Sequence, residues 1–174
     1  VCAPFDEAFF CVLAANFLLE GLYFYNGFAF FDTLVDRMKM PATGRMIAYI
    51  RRDELTHVTI FANIIKEIKR EFPEVYDEEI VREMTKVAVD QEITWSKAIL
   101  GNKISGMNGE TTEEYTKWLA NQRLSMIGIE PLFADAIKNP YKHLDRLQDP
   151  NADKGNFFET TVINYTQSSN MAGS

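Results

Sequence analysis

Two side chains of types that bind metal ions, a glutamate and a histidine, stand three residues apart within an apolar pattern. They are Glu54 and His57, and both fall on a series of positions separated by alternating steps of three and four residues. The apolar members of that series are Ile47, Ile50, Phe61, Ile64 and Ile68. Positions spaced in this way share one face of an α-helix, so the sequence predicts that both polar side chains point inward.

A carboxylate on the buried face of a helix needs a proton, a cationic partner or a metal ion, because an unpaired buried charge is costly. The Glu-x-x-His spacing of Glu54 and His57 lets a carboxylate oxygen and an imidazole nitrogen converge on one ion from adjacent turns. The motif is also common by chance, so a surface or capped pair is the alternative interpretation. The other histidine, His143, has no acidic residue three positions before it and is expected in a surface or capping role.

A third candidate ligand, Glu20, lies in the preceding helix. It belongs to a second series of steps of three and four, whose apolar members are Leu13, Phe17, Phe24, Phe28, Phe31 and Val35. Gly21 and Gly27 lower the helix propensity and indicate close packing or a local π-type widening near the acid. Because the connection to the next helix is short, the two helices are predicted to be antiparallel neighbours, so that Glu20 and Glu54 can meet at one level.

Apolar periodicity and end signals predict helices along the rest of the chain, without strand alternation or an internal repeat. The predicted helices cover residues 5–38, 41–72, 78–100, 111–127 and 132–137. Pro41 can begin the second helix and Pro73 ends it. Asp77 is expected to cap the third, and the sequence TTEE at residues 111–114 is typical of a capping box that begins the fourth.

The predicted fold class is all-α, with one domain at residues 1–147 and an extended or mobile tail at residues 148–174, where Asp, Asn, Gly, Ser and Thr dominate. Trp95 and Trp118 are expected in the core. The inward face of the third helix is predicted to consist of Ile80, Met84, Val87, Ile93 and Leu100.

Composition narrows the classes of partner and location. The chain has 174 residues, 47% of them apolar, which suffices for one domain with a sizeable core. A formal net charge of −7 argues against nucleic acid as a partner. The two cysteines, Cys2 and Cys11, are too few for a disulfide framework, which favours a reducing interior such as the cytoplasm.

Residues 8–31 are almost wholly apolar and long enough to span a bilayer. However, Glu20 would sit near the middle of the bilayer, and the residues that flank the stretch are acidic: Asp6, Glu7, Asp32 and Asp36. A helix buried inside a bundle is the preferred interpretation, so no membrane partner is expected.

The three candidate ligands correspond to half of the ligand set that holds two metal ions in helical bundles. Bundles that hold two metal ions use one Glu from each of two helices and a Glu-x-x-His from each of the other two. Glu20, Glu54 and His57 supply one lone Glu and one Glu-x-x-His, and no second Glu-x-x-His occurs in the sequence. The remaining ligands are therefore expected from another polypeptide or a removed segment.

Several further motifs carry a family resemblance. They are NFLLEGLYFYNGF at residues 16–28, IRRDELTH at 50–57, NPY at 139–141 and NFFE at 156–159, which is followed by Tyr165. Together with the 34-residue separation of Glu20 and Glu54, this order resembles the C-terminal half of the small, radical-generating subunit of class I ribonucleotide reductase, from Cys11 to about Tyr165.

The resemblance implies a ferritin-like helical bundle in which Glu20, Glu54 and His57 are three of six protein ligands to a dinuclear centre. The metal would be iron, manganese with iron, or two manganese ions, because hard carboxylate ligands suit these metals. In the family, the reduced metals activate dioxygen and one oxidising equivalent is stored. That equivalent then reaches a large catalytic subunit, which reduces ribonucleotides to deoxyribonucleotides.

Other residues acquire roles only through the resemblance. Phe24, Phe28 and Ile50 match the apolar pocket that protects the radical, with ordinary core packing as the alternative. Arg52, Asp53 and Tyr165 match the radical-transfer route; the alternatives are a solvated ion pair and a loose tail residue.

The sequence departs from the family pattern because the N-terminal half, with its own ligands and radical tyrosine, is not found in it. The expectation is one piece of a split, spliced or cleaved subunit. Its expected partners are the complementary N-terminal half, a second copy of the small subunit and the large subunit. Two other functions stay open at this point: a different ferritin-like dimetal oxidase or iron-storage protein, and a metal-free helical assembly partner.

Overall fold

The computed structural model describes residues 7–147, and within that range the chain is helical and has no β-strand. The helices are α1 (Glu7–Leu18), a π-helical segment (Leu19–Tyr23), α2 (Tyr25–Asp36), α3 (Pro41–Glu71), α4 (Glu78–Ile99), α5 (Gly109–Met126) and a 3-10 helix (Lys142–Leu147). The all-α class is therefore confirmed for these residues. The predicted tail at residues 148–174 lies outside the described residues.

The first predicted helix is interrupted where the sequence places its acid. α1 and α2 follow each other along one rod, and the π-helical segment Leu19–Tyr23 joins them. Glu20 lies inside this segment, so the predicted π-type widening near the acid is confirmed. Within the described residues, the predicted helix over residues 5–38 is thus divided into two α-helical parts by the π-helical segment.

α3 turns back along this rod after a short connection. Met38 and Met40 adopt left-handed backbone angles, with φ of 59° and 51°, and Pro41 occupies the first turn of α3. α3 packs against α1, the π-helical segment and α2. The α2–α3 contact is close at Gly44, where an added Cβ would lie 2.0 Å from Cγ2 of Val35.

α4 and α5 pack against each other, and α4 also packs against α1. The carboxylate of Asp77 accepts hydrogen bonds from the backbone N–H groups of Glu79 and Ile80, which confirms the predicted cap of α4. The predicted start of α5 was wrong by one turn: Asn108 is the cap, and Thr111 completes the capping box from the third helical position.

The predicted inward face of α4 was right only in part: Leu100 is buried, and Met84 and Ile93 are partly buried against the core, but Val87 is not. Val87 and Trp95 were both predicted to lie in the core, but Val87 is 53% exposed and Trp95 is 46% exposed. The residues that are buried instead are Val81, Thr85, Ala88, Val89, Glu92 and Ser96. Most side chains on this buried face of α4 are small, which lets α5 approach closely. Packing against α1 and α5 therefore decides which face of α4 is buried, although this face is less apolar than the predicted one.

Residues 132–137 do not form the predicted short helix. Asn121 of α5 instead organises this segment: its side-chain carbonyl accepts hydrogen bonds from the backbone N–H groups of Leu132 and Phe133, and its amide donates to the carbonyl oxygens of Phe133 and Ala136. These backbone groups are thus satisfied without a helical turn.

The helical stretch Glu7–Asp36 is long and apolar enough to cross a membrane by length and composition alone. In the structure it packs against α3 and α4, and it contributes much of the core, including Phe10, Ala14, Phe17 and Leu22.

Candidate metal centre

The π-helical segment and the middle of α3 bring three potential ligands together. Glu20, Glu54 and His57 each offer one ligand atom, and these atoms lie within 4.8 Å of one another. Nδ1 of His57 is 3.1 Å from Oε2 of Glu54 and 3.7 Å from Oε2 of Glu20. Two carboxylates and an imidazole at these separations form a set that can hold a divalent cation.

The pKa shifts in this group follow from its crowding. A hydrogen bond with Glu54 raises the pKa of the Glu20 carboxyl, and burial and the charge of Glu54 act in the same direction. A hydrogen bond to Glu54 also raises the pKa of His57, helped by the charge of Glu20. A cation at the same place would relieve the repulsion between the two carboxylates.

The candidate site is open on one side. The side chains of Glu20 and Glu54 are 21% and 19% exposed, but that of His57 is 51% exposed. The prediction that the whole face of α3 points into the core was therefore wrong for His57, and also for Ile50, which is exposed. Within the described part of the chain, the main helix contacts of α3 are with α1, the π-helical segment and α2, and these leave the imidazole of His57 half-exposed.

Comparison with known proteins places the sequence in a family. The profile of "Ribonucleotide reductase, small chain" matches residues 3–140. The chain belongs to this family. The resemblance deduced from the motifs is thereby confirmed.

The relatives share both sequence and fold. The chain is 40% identical to the ribonucleoside-diphosphate reductase subunit beta of Halalkalibacterium halodurans over 94% of its own length and 48% of the relative's, and 36% identical to that of Treponema pallidum over 92% and 47%. The solved ribonucleotide reductase R2 subunit from Clostridium botulinum is 43% identical, with a TM-score of 0.75, over 79% of this chain and 44% of the other. The predicted ferritin-like helical fold is confirmed, and the chain spans about half the length of the relatives it matches.

The residues that the ribonucleotide reductase resemblance assigns to a radical pocket differ in burial. Phe28 is buried, whereas Phe24 and Ile50 are each 43% exposed. The rings of Phe24 and Phe28 are stacked with their centroids 6.4 Å apart. The two phenylalanines thus form an apolar pair one and two turns beyond Glu20, on the edge of the open face.

The residues assigned to radical transfer in the ribonucleotide reductase family lie on the surface or outside the described range. The guanidinium of Arg52 donates to the carboxylate of Asp53 at 3.2 Å, and both side chains are more than half exposed. No hydrogen bond or ion pair joins Asp53 to His57 among residues 7–147. Tyr165 lies outside the described residues, and His143 is exposed as predicted.

Sequence reasoning missed a buried ion pair next to the candidate ligands. Arg51 donates to the carboxylate of Asp32 at 2.6 Å, and its guanidinium lies over the ring of Phe28 at 5.3 Å. Both charged side chains are buried, and the pair ties α2 to α3 one turn from Glu54. The only signal was an acid at the end of an apolar helix, which the sequence analysis read as a flanking charge.

Proposed function

We propose that the chain is part of a ribonucleotide reductase small subunit, which uses a dinuclear metal centre and dioxygen to generate a radical. The radical would pass to the large subunit, where ribonucleotides are reduced to deoxyribonucleotides. One observation carries the proposal: Glu20, Glu54 and His57 converge within 4.8 Å in a chain of this family. Convergence from two separate helices is not expected of a chance Glu-x-x-His motif.

The proposed roles of these residues follow from their chemistry. Glu20, Glu54 and His57 would bind iron or manganese, since carboxylate and imidazole ligands suit both metals. When bound, the dinuclear centre supplies the redox chemistry with dioxygen. The carboxylates would neutralise the ions, and the hydrogen bond between His57 and Glu54 would be exchanged for coordination.

We propose that another polypeptide segment completes the site. Support comes from the half-exposed imidazole of His57 and from the cluster's single histidine, where a dinuclear bundle site has two. This segment would be the complementary N-terminal half of the small subunit. A second small-subunit copy, the large subunit and a cytoplasmic location are proposed on family membership, and residues 1–147 are proposed as the domain that assembles with the complement.

Phe24, Phe28 and Ile50 are proposed to line the radical pocket once the open face is covered, because stacked apolar side chains at its edge would then exclude water. Arg52 and Asp53 are proposed to lie on the transfer route, with Tyr165 as the relay to the large subunit. Their surface position suits contact with another chain.

Metal titration tests the site itself. The chain, combined anaerobically with the complementary N-terminal half, should bind Mn(II). Binding is measured as the loss of the electron paramagnetic resonance signal of the free ion. Glu20→Gln, Glu54→Gln and His57→Ala should each weaken binding by about tenfold or more. Glu71→Gln, on an exposed site at the end of α3, is the matched control and should bind as the wild type does. Equal binding by all variants would refute the assigned ligands.

Replacement of Tyr165 by Phe separates the two enzymatic readings. In a radical-generating subunit, this change should abolish nucleotide reduction in the presence of the large subunit while leaving metal uptake and oxygen consumption intact. Oxygen consumption or iron storage without any nucleotide reduction by the wild type would instead favour the different dimetal oxidase or storage protein.

A further inference from the structure

The π-helical segment that carries Glu20 is held from outside by one side chain of α5. Nε of Arg123 donates a hydrogen bond to the carbonyl oxygen of Gly21 at 2.9 Å. A π turn disturbs the regular helical ladder of backbone hydrogen bonds, and such turns occur frequently at functional sites. A side-chain donor at this point therefore fixes the peptide unit that directly follows Glu20.

The guanidinium of Arg123 also contacts the residue that begins α2. It lies over the ring of Tyr25, 4.7 Å from the centroid. Arg123 thus contacts Gly21, inside the π-helical segment, and Tyr25, with which α2 begins, so its two contacts span the C-terminal end of the segment. Contacts at two points resist both rotation and sliding of the segment.

Arg123 is costly to place where it lies. The residue is only 8% exposed, and no ion pair joins it to a carboxylate within residues 7–147. Burial of a charged group without an acidic partner is unfavourable unless hydrogen bonds and ring contacts compensate. A neutral apolar residue would fill the same space without this penalty, so the charge at this position calls for a role beyond packing.

The residue at position 21 fits this contact. A Cβ added to Gly21 would lie 3.2 Å from Cδ and 3.3 Å from Nε of Arg123, which is closer than side chains normally approach. Because Gly21 has no Cβ, the side chain of Arg123 can reach the backbone of the π-helical segment. The same glycine lowers the intrinsic helix propensity, so the turn depends more on its outside partner.

From these contacts we infer that Arg123 is a positioning residue, which holds the π-helical segment in the register that turns Glu20 toward Glu54 and His57. The inference rests on the proposed metal-binding function for its consequence, but the restraint on the segment is a property of the chain itself. Among the described residues, no hydrogen bond or ion pair joins Arg123 to Glu54 or His57, so we infer that it acts through Gly21 and not as a ligand.

Hydrogen exchange of the wild type and of Arg123→Met, in the full chain without added metal, tests the restraint. Backbone amides of residues 19–24 should exchange about tenfold faster in the variant, while those of α3 should keep their protection. Arg82→Met is the matched control, because Arg82 also reaches across to a backbone carbonyl, that of Glu130, but far from the π turn. Unchanged exchange at residues 19–24 in a folded Arg123→Met would overturn the inference.

Mn(II) titration of the same variants, with the complement present, tests the consequence. Arg123→Met should bind about tenfold more weakly than the wild type, as is usual for loss of a partner that orients a ligand, and Arg82→Met should bind equally well. If the wild type binds Mn(II) and Arg123→Met binds it equally well, the positioning role is refuted. If the wild type does not bind Mn(II), the proposed function is refuted, and the hydrogen-exchange result alone tests whether Arg123 restrains the segment.

If Arg123→Met does not fold, Gly21→Ala gives the same test with the arginine retained. Alanine favours the helix but displaces Arg123, so local exchange should rise and Mn(II) binding should fall, by about threefold each, although global stability does not drop. Exchange and binding equal to the wild type in Gly21→Ala would then overturn the inference.

Discussion

Replacement of Glu92 by glutamine should stabilise the chain at neutral and higher pH. Glu92 lies on the buried face of α4, is only 3% exposed, and its Oε1 has no hydrogen-bond partner within residues 7–147. Burial raises the pKa of its carboxyl to about 7, although a hydrogen bond from Asn26 opposes the shift. Glutamine keeps the size of the side chain and removes the charge.

The sign and size of the effect follow from this pKa. The folded chain holds the Glu92 proton more tightly than the unfolded chain, whose pKa is near 4.5. The wild type therefore has its full stability below about pH 4.5, the pKa of the unfolded chain. Its free energy of unfolding falls as the pH rises through about 7, where the carboxyl of Glu92 ionises in the folded core. The difference between the two pKa values corresponds to at most about 3 kcal/mol at high pH.

Urea unfolding followed by circular dichroism, at a series of pH values from about 5 to 8, measures this effect. The stability difference between Glu92→Gln and the wild type should grow in favour of the variant as the pH rises. Glu114→Gln, which removes an exposed carboxylate from α5, is the control. A Glu92→Gln curve that runs parallel to the wild type, or lies further below it at high pH, would show that no buried charge is relieved.

Three other substitutions have defined outcomes. Asp32→Asn should lower the unfolding free energy by about 3 to 5 kcal/mol, since it leaves the buried guanidinium of Arg51 without its 2.6 Å partner; a loss below about 1 kcal/mol in urea unfolding would mean that the pair is solvated. Gly44→Ala should destabilise by about 1 to 3 kcal/mol, because its Cβ would lie 2.0 Å from Val35, and Val35→Ala in the same chain should restore much of that loss. Asn108→Ala should cost about 1 kcal/mol, measured by thermal unfolding, because the first turn of α5 loses its cap; an unchanged transition would refute the capping role.

The long elements of this fold could be predicted because local signals agree with tertiary packing. α3 begins at Pro41 and ends just before the predicted limit, and Asp77 caps α4 as expected. The π-helical segment was also predictable, since glycines beside an inward acid weaken the regular helix. These features depend on a few neighbouring residues, so the sequence alone contains enough information.

Other features depend on distant partners and were beyond pattern reasoning. α4 has apolar residues on two sides, and contact with α1 and α5 decides that Val81 is buried while Val87 is exposed. In the segment after α5, hydrogen bonds to the side-chain amide of Asn121 fix the backbone, although the local sequence favours a helix. In the candidate site, the convergence of Glu20 with His57 could be predicted from periodicity, but Arg51, Asp32 and Arg123 could not.

If the proposed metal centre is completed by another segment, the half-exposed imidazole of His57 bears on which metal ion binds during assembly. An open set of two carboxylates and one imidazole imposes little geometry, so its preference among divalent ions follows the general order that rises from manganese through iron to copper. A closed cage can instead discriminate by coordination geometry. Which ion occupies the finished protein would then depend on whether the covering segment arrives before the ions do, and on which ions are abundant at that moment.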